Sequence, residues 1–394
     1  MKPTNSAAKT SGRRLSWHDP AVRAVVYQIL IVGLVGFGAW YLVSNTLHNL
    51  AVRNISTGFG FLGREAGFAI GESTIEYRPA DSYARAIMVG LLNTLKVSVI
   101  GVIAATILGT LLGVARLSRN WLVSKVASAY VEVMRNIPLL LQLFFWYAII
   151  TENMPGPRQA LNPLPGIFIS NRGLQIPSVQ GDAIDWIVIA LGLAIIAILG
   201  IANWSRKRQE ATGQIFPVGR VAVLLLVVFP LLAFFVSGSP LTLDMPELKG
   251  FNFSGGLTMS PEFAALLLGL IIYTAAFIAE VVRSGIQAVG QGQWEAAQAI
   301  GLSRGRVLRL VILPQALRVI IPPMTSQYLN LTKNSSLAVA IGYPDIVSVV
   351  NTTLNQTGQA IEGILIIMAA YLTVSLSISV FMNWYNKRIA LVER

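Results

Sequence analysis

About eight apolar stretches, each long enough to cross a bilayer as a helix, constrain the fold of this 394-residue chain. A bilayer-spanning helix needs about 20 consecutive apolar residues, and an isolated span must satisfy its backbone hydrogen bonds internally. Charged residues make up only 12% of the chain, against about 25% in an average soluble domain. The sequence therefore predicts an all-α integral membrane protein with about eight transmembrane helices. They are expected at about 24–43, 87–115, 122–150, 184–203, 221–237, 261–283, 316–342 and 361–384.

Most of the 30 Lys and Arg residues lie in segments on one side of these spans. Because basic loops stay on the cytoplasmic side of a membrane, we expect a multi-pass protein with both termini in the cytoplasm. The tail at 1–23 is polar and basic, and a span follows it from about Ala24. That span is too long for the apolar core of a cleaved signal peptide, so it predicts an uncleaved anchor.

Composition excludes several classes of function. The net charge of +12 comes from short loops between spans rather than from one soluble basic face, so no nucleic-acid partner is expected. The chain has no Cys and only two His, His18 and His48, so thiol chemistry and a metal site are not expected. It also lacks the GxxxxGK[ST] phosphate loop. We therefore expect a protein that is not an enzyme and carries no cofactor of its own.

The loop at 284–315 is unusually long and semi-apolar for a connection between two spans. Glu295 would lie in the first turn of a short helix, where the helix dipole favours a carboxylate. Ala296 and Ala297 favour the helix, Gly301 suits its C-terminal stop, and Pro314 would break a second helix. The pattern predicts a compact helix-turn-helix for docking another protein. The alternative is an amphipathic loop that lies on lipid headgroups.

The residues Glu295-Ala296-Ala297, Gly301 and Leu313-Pro314 resemble the EAA loop of ABC-importer permeases, with Val311 in place of the usual Ile. Three further stretches resemble polar amino-acid permeases, and the enlarged layout is similar to permease subunits of general L-amino-acid transporters. These stretches are Asn93-Thr94-Leu95 with Ser98, Met134 to Phe145, and Leu331 to Leu337.

The resemblance implies a type I ABC importer permease core with extra helices, in a bacterial inner membrane. It implies ATP-driven import of L-amino acids, with ATP-Mg bound by a separate ATP-binding subunit that docks on the EAA residues. A second permease subunit, a periplasmic amino-acid-binding protein and membrane lipid are the other expected partners. The expected organisation has a first span and periplasmic segment at 24–86, a permease domain at 87–394, and a lipid-facing two-helix insertion at 184–237.

Charged residues inside a membrane are costly and therefore mark functional positions. Lys333 is followed by Asn334, Ser335 and Ser336, and this group suits the carboxylate of an amino acid. Alternatively, Lys333 pairs with Glu280 or Glu132, or it snorkels to the surface.

Further charged or polar residues lie in or near the spans. Arg135 can pair with Glu132 along one helix face, or it can contact substrate, and Gln142 is a candidate to line the pathway. Lys96 is expected to snorkel or to meet a lipid phosphate. Glu280 and Arg283 are expected at a solvated helix end.

Two other classes of membrane protein compete with the importer. A secondary transporter driven by an ion gradient would favour carboxylates in mid-membrane, and Glu132 is the clear deep acid. A channel or structural subunit would need no docking surface. Neither alternative accounts for the loop at 284–315.

Overall fold

The computed structural model describes residues 20–52, 57–181, 183–214, 216–238 and 242–389. The tail expected at 1–23 therefore lies largely outside the described residues. Twelve α-helices are found in the described ranges. They are α1 Pro20–Val52, α2 Tyr83–Ala115, α3 Trp121–Asn136, α4 Leu139–Ala148, α5 Ala183–Thr212, α6 Val218–Ser237, α7 Pro261–Gln287, α8 Gln291–Ala299, α9 Arg304–Val307, α10 Leu313–Asn334, α11 Ile346–Thr357 and α12 Ala360–Ile389.

Seven stretches of helix in the described part of the chain are long and apolar enough to cross a membrane, and the α3–α4 pair makes eight if it counts as one span. The expected number of spans is confirmed. The span expected over 122–150 is bent, because α3 and α4 meet at an angle of 103°. The break falls at Ile137, which is extended, and Pro138. Proline lacks an N–H and disfavours helical geometry in the residue before it.

Helices α2 and α7 pack against each other through small residues. A Cβ on Gly109 would lie 2.6 Å from Cβ of Ile278, and one on Gly113 would lie 2.8 Å from the carbonyl oxygen of Ala279. Small residues in membrane helices allow backbones to approach this closely, which maximises van der Waals contact where lipid supplies no hydrophobic driving force. The α2–α7 pair is the centre of the bundle, and α3, α4, α10 and α11 pack around it.

The bundle has two ends that are used below. The Ser260 end is where α2, α7 and α12 begin, and the Gln287 end is where α7 stops and α10 begins. Close contacts fix this arrangement, since Gly101 of α2 meets Leu331 near the finish of α10 and Gly285 of α7 meets Ile320 near its start. Gly90 of α2 contacts Ile346 at the start of α11.

Helices α5 and α6 pack against each other, and few of their apolar side chains are buried. The same is true of α1, whose apolar window buries none of its residues. Exposed apolar helices of this length are typical of lipid-facing surfaces. A lipid-facing role for the helices at 184–237 therefore stays a prediction.

Short strands form between α4 and α5, at 161–180. They pair with strands at 242–259, on the far side of the α5–α6 hairpin. Strand β3 runs beside β8, and Gly173 (φ 97°) leaves no room for a side chain next to the Met259 carbonyl. Paired strands therefore connect the chain just before the α5–α6 hairpin with the chain just after it. The strands are β1 Leu161–Leu164, β2 Ile167–Ser170, β3 Gly173–Ile176, β4 Ser178–Gln180, β5 Thr242–Asp244, β6 Glu247–Lys249, β7 Asn252–Ser254 and β8 Leu257–Met259.

We expect Gly109→Val to destabilise the protein by about 1–3 kcal/mol, because overpacking a tight contact forces the neighbouring atoms apart. The measurement is the unfolding temperature of the purified protein in detergent. Gly192→Val is the matched control, since no atom lies within 4 Å of a Cβ at Gly192 in α5. Equal unfolding temperatures for the two variants would contradict the close α2–α7 packing.

Candidate functional site

The loop at 284–315 folds as a short helix, a turn and a continuous entry into the next span. The predicted stop at Gly301 is confirmed, since Gly301 has φ of 82°. The Gly301 N–H donates to the Gln298 carbonyl at 2.9 Å, and the Leu302 N–H donates to the Ala297 carbonyl at 3.3 Å. This pair of bonds is a Schellman motif, which satisfies the last carbonyls of α8.

The loop is fixed to the bundle by buried side chains. Ala297 is only 4% exposed and packs in the main hydrophobic core together with Val307 and Ile312. Gln315 also donates from Nε2 to Oε1 of Gln293 at 3.2 Å, which joins α10 to α8. Motion of this loop is therefore coupled to the helices on which it is mounted.

The outer surface of the loop exposes both polar and apolar groups. Glu295, Ala296 and Gly301 are exposed, as are Leu313 and Pro314. Ile300 is 77% exposed although it is a large apolar side chain. Ala297, which the sequence placed in the docking surface, faces inward and supports that surface from below.

Pro314 does not break a helix, contrary to the expectation. It lies in the first turn of α10, and the Leu313 N–H just before it donates to the Leu308 carbonyl, so the helical structure continues past the proline. A π-helical turn at Leu308–Ile312 joins α9 to α10. Helical structure therefore runs from the loop directly into the span, and movement of the loop can pass into α10.

An ion cluster lies towards the Gln287 end of the bundle, centred on Glu280 of α7. Its carboxylate accepts hydrogen bonds from Arg116, just after α2, and from Arg283 at 2.5 Å. Arg135 of α3 lies 3.8 Å from the same carboxylate, and its guanidinium lies over the ring of Phe277. The cluster ties three helices together, so the expectation of a solvated helix end for Glu280 and Arg283 is wrong. Arg135 is placed by Glu280 in this structure.

The proposed substrate residues do not form a single cluster. The Ser335 hydroxyl donates to the Thr332 carbonyl and the Ser336 hydroxyl donates to the Lys333 carbonyl, each at 2.7 Å. These hydroxyls cap the last turn of α10, and Asn334 beside them is half-buried. Gln142 is buried, and its Nε2 donates to the carbonyls of Met134 and Ile137 at the α3–α4 break.

Lys333 is exposed, and its ammonium group has no ion pair among the described residues. The alternative in which Lys333 pairs with Glu280 or Glu132 is therefore wrong. Glu280 is already occupied by arginines at the other end of the bundle.

A polar network at the Ser260 end was missed by the sequence reading. Lys96 does not snorkel to the surface but forms an ion pair: its Nζ lies 2.7 Å from Oε1 of Glu72 and 4.4 Å from the ring centroid of Phe263. Glu72 Oε2 also accepts from the Ser260 hydroxyl at 2.5 Å. Asn93, fully buried, donates to the carbonyls of Glu72 and Pro344.

A buried carboxyl group caps α11 beside this network. Asp345 Oδ1 accepts from the Ser348 N–H at 2.8 Å. Because burial removes water from the charged form, the pKa of Asp345 is raised to about 7. An Asp directly before the apolar run at 346–350 is a helix-start signal.

Comparison with known proteins decides the family. The model of the family described as "binding-protein-dependent transport system inner membrane component" matches residues 98–391. The chain belongs to this family. The general L-amino acid transport system permease protein AapQ of Rhizobium johnstonii is 53% identical over 383 residues, covering 97% of this chain and 96% of that protein. The putative amino-acid ABC transporter permease protein YhdX of Escherichia coli is 52% identical, covering 96% of this chain and 97% of that protein.

The family match includes the loop, the Glu280 cluster and Lys333, all within 98–391. It begins after Lys96 and leaves out Glu72. The network at the Ser260 end therefore joins residues outside the family match to Ser260 and Phe263 inside it. Family membership identifies a membrane-embedded transport component that works with a binding protein.

The raised pKa of Asp345 predicts a pH dependence of stability. An unfolded Asp has a pKa of about 3.9, so between about pH 4 and pH 7 the folded chain holds a proton that the unfolded chain has lost. The free energy of unfolding must therefore fall as the pH rises through this window and level off above it.

Asp345→Asn keeps the helix cap and removes the titration. We expect the variant to gain stability relative to wild type as the pH rises from 4 to 7, measured as the unfolding temperature at each pH. A constant difference across that range would contradict the buried, titrating carboxyl group.

Proposed function

We propose that this chain is the membrane-spanning subunit of an ATP-driven importer that carries L-amino acids across the bacterial inner membrane. The main support is family membership together with relatives at 52–53% identity over nearly the whole chain, whose names are those of amino-acid permeases. The second support is the loop at 284–315, a rigid surface with an exposed apolar residue at Ile300.

The proposed orientation places the N-terminus, the C-terminus and the Gln287 end in the cytoplasm. It is supported by the excess of Lys and Arg in the segments on that side. The Ser260 end then faces the periplasm. Lipid covers the exposed apolar faces of α1, α5 and α6.

The chain requires partners for this function. ATP and Mg²⁺ bind a separate ATP-binding subunit, which docks on Glu295, Ala296, Gly301, Leu313 and Pro314. A periplasmic binding protein delivers the amino acid at the Ser260 end. A second permease chain completes the membrane unit, and we propose a paralogue of this one, since a second amino-acid ABC transporter permease of E. coli, YhdY, is 30% identical over 210 residues.

Coupling proceeds through the loop in this proposal. ATP binding draws the docking loops of the two permease chains together, and the movement passes through the π-helical turn into α10. The bundle then opens at the Ser260 end, and ATP hydrolysis resets it. The exposed Lys333 ammonium, with Asn334 beside it, is the proposed ligand for the substrate carboxylate, while Ser335 and Ser336 fix the end of α10.

The test is uptake by proteoliposomes that contain this chain, the second permease and the ATP-binding subunit, with the binding protein added. We expect Glu295→Lys to reduce ATP-dependent amino-acid uptake at least about tenfold and to abolish co-purification of the ATP-binding subunit, because it reverses a charge on the docking surface. Glu210→Lys makes the same charge change at the exposed end of α5 and should leave both unchanged. Uptake without ATP, or full uptake by Glu295→Lys, would overturn the proposal.

A further inference from the structure

The segment at 57–82 closes over the Ser260 end of the bundle. Phe61 and Ala66 are buried there against Tyr83 of α2 and Ile346 of α11. The Gly58 N–H donates to Oε1 of Glu362, in the first turn of α12, at 2.6 Å. The segment therefore covers the surface at which a periplasmic ligand would arrive in the proposed orientation.

Glu72 extends from this segment into a site formed by two helices of the bundle. Its side chain is only 12% exposed, and its two oxygens have different donors, Lys96 of α2 and Ser260 at the start of α7. The Ser260 oxygen accepts from the Phe263 N–H at 3.1 Å, so its hydroxyl hydrogen is available to the carboxylate. The ring of Phe263 holds the Lys96 ammonium in place from the other side.

Lys96 and Ser260 bind the two carboxylate oxygens of Glu72 and no other part of its side chain. An ammonium provides three N–H donors, and Glu72 is the one acceptor found for them among the described residues. Charge-assisted bonds from an ammonium and a hydroxyl would hold the α-carboxylate of an amino acid equally well. Lys96, Ser260 and Phe263 lie on membrane helices, whereas Glu72 lies in a stretch that forms no helix.

We propose that Lys96 and Ser260 form an outer carboxylate site, which Glu72 occupies while the Ser260 end is closed. When the segment at 57–82 withdraws, the carboxylate of the arriving amino acid replaces that of Glu72. The exchange keeps Lys96 paired throughout, which avoids leaving an uncompensated charge in a partly buried site. This inference rests on the proposed import of amino acids and identifies the group that the carboxylate meets first.

Asn93 holds the segment around Glu72 through its own hydrogen bonds. Its Nδ2 donates to the Glu72 carbonyl at 2.8 Å, and its Oδ1 accepts from the Thr74 hydroxyl at 2.9 Å. Both bonds hold the backbone around Glu72 without using the carboxylate. Opening must break them, and Lys96 and Ser260 then remain on α2 and α7 to receive a new ligand.

The test compares Lys96→Gln with Glu72→Gln in the reconstituted importer, with uptake measured against amino-acid concentration. We expect Lys96→Gln to lower uptake at least about tenfold while co-purification and ATP hydrolysis are retained. Glu72→Gln should retain uptake and saturate at a lower concentration, because the competing carboxylate is gone. Glu76→Gln is the matched control in the same segment, since the contact found for the Glu76 side chain is an exposed pair with Arg78, and it should behave as wild type.

A merely structural ion pair gives a different result. In that case Lys96→Gln and Glu72→Gln would lose uptake equally, and the inference would be overturned. The double variant Glu72→Lys with Lys96→Glu restores the pair with its charges exchanged. Recovery of uptake in it would also overturn the inference, while continued loss in an assembled complex would support it. Failure of the proposed function itself is distinguishable, because wild type would then show no ATP-dependent uptake.

Discussion

The close approach of α2 and α7 at Gly109 and Gly113 is the contact on which the rest of the structure depends. In a bilayer, helices associate through tight packing rather than through exclusion of water, and these glycines bring the two backbones together. The same two helices carry both polar sites. Arg116 meets Glu280 at one end, and at the other end Lys96 and Ser260 both contact Glu72. A shift of α2 against α7 would therefore disturb the ion cluster and the outer carboxylate site together.

The docking loop is connected to α10 in a way that can transmit movement from its exposed face to the span. Ala297 anchors it from beneath, and its exposed face carries Glu295 and Ile300. No flexible linker separates it from α10, because the π-helical turn at Leu308–Ile312 continues into the span. A π-turn in a helix often marks a functional position, and here it lies between the surface proposed to receive ATP-driven motion and the helix that ends at Lys333.

Hydropathy and local signals could predict the spans, the bend at Pro138 and the stop at Gly301, because each depends on residues near in sequence. Pairings between remote segments could not be predicted. The strands beside the α5–α6 hairpin pair Leu174 with Met259. Lys96 pairs with Glu72, which lies in a polar stretch that has no sequence signal for packing against the bundle. Arg135 likewise pairs with Glu280 of another helix rather than with Glu132 on its own. Single charges in spans can be recognised from the sequence, but their pairing partners can be identified only from the folded structure.

The most direct test of the central claim is to ask whether an ATP-binding subunit touches the loop. Since the chain has no Cys, Ile300→Cys provides a unique thiol for a reagent that joins a thiol to a lysine, and Glu210→Cys provides the control. The account predicts a cross-link from position 300 to the ATP-binding subunit in membrane vesicles, with a yield that changes when ATP is added. No cross-link from position 300, or one no stronger than that from position 210, would contradict it.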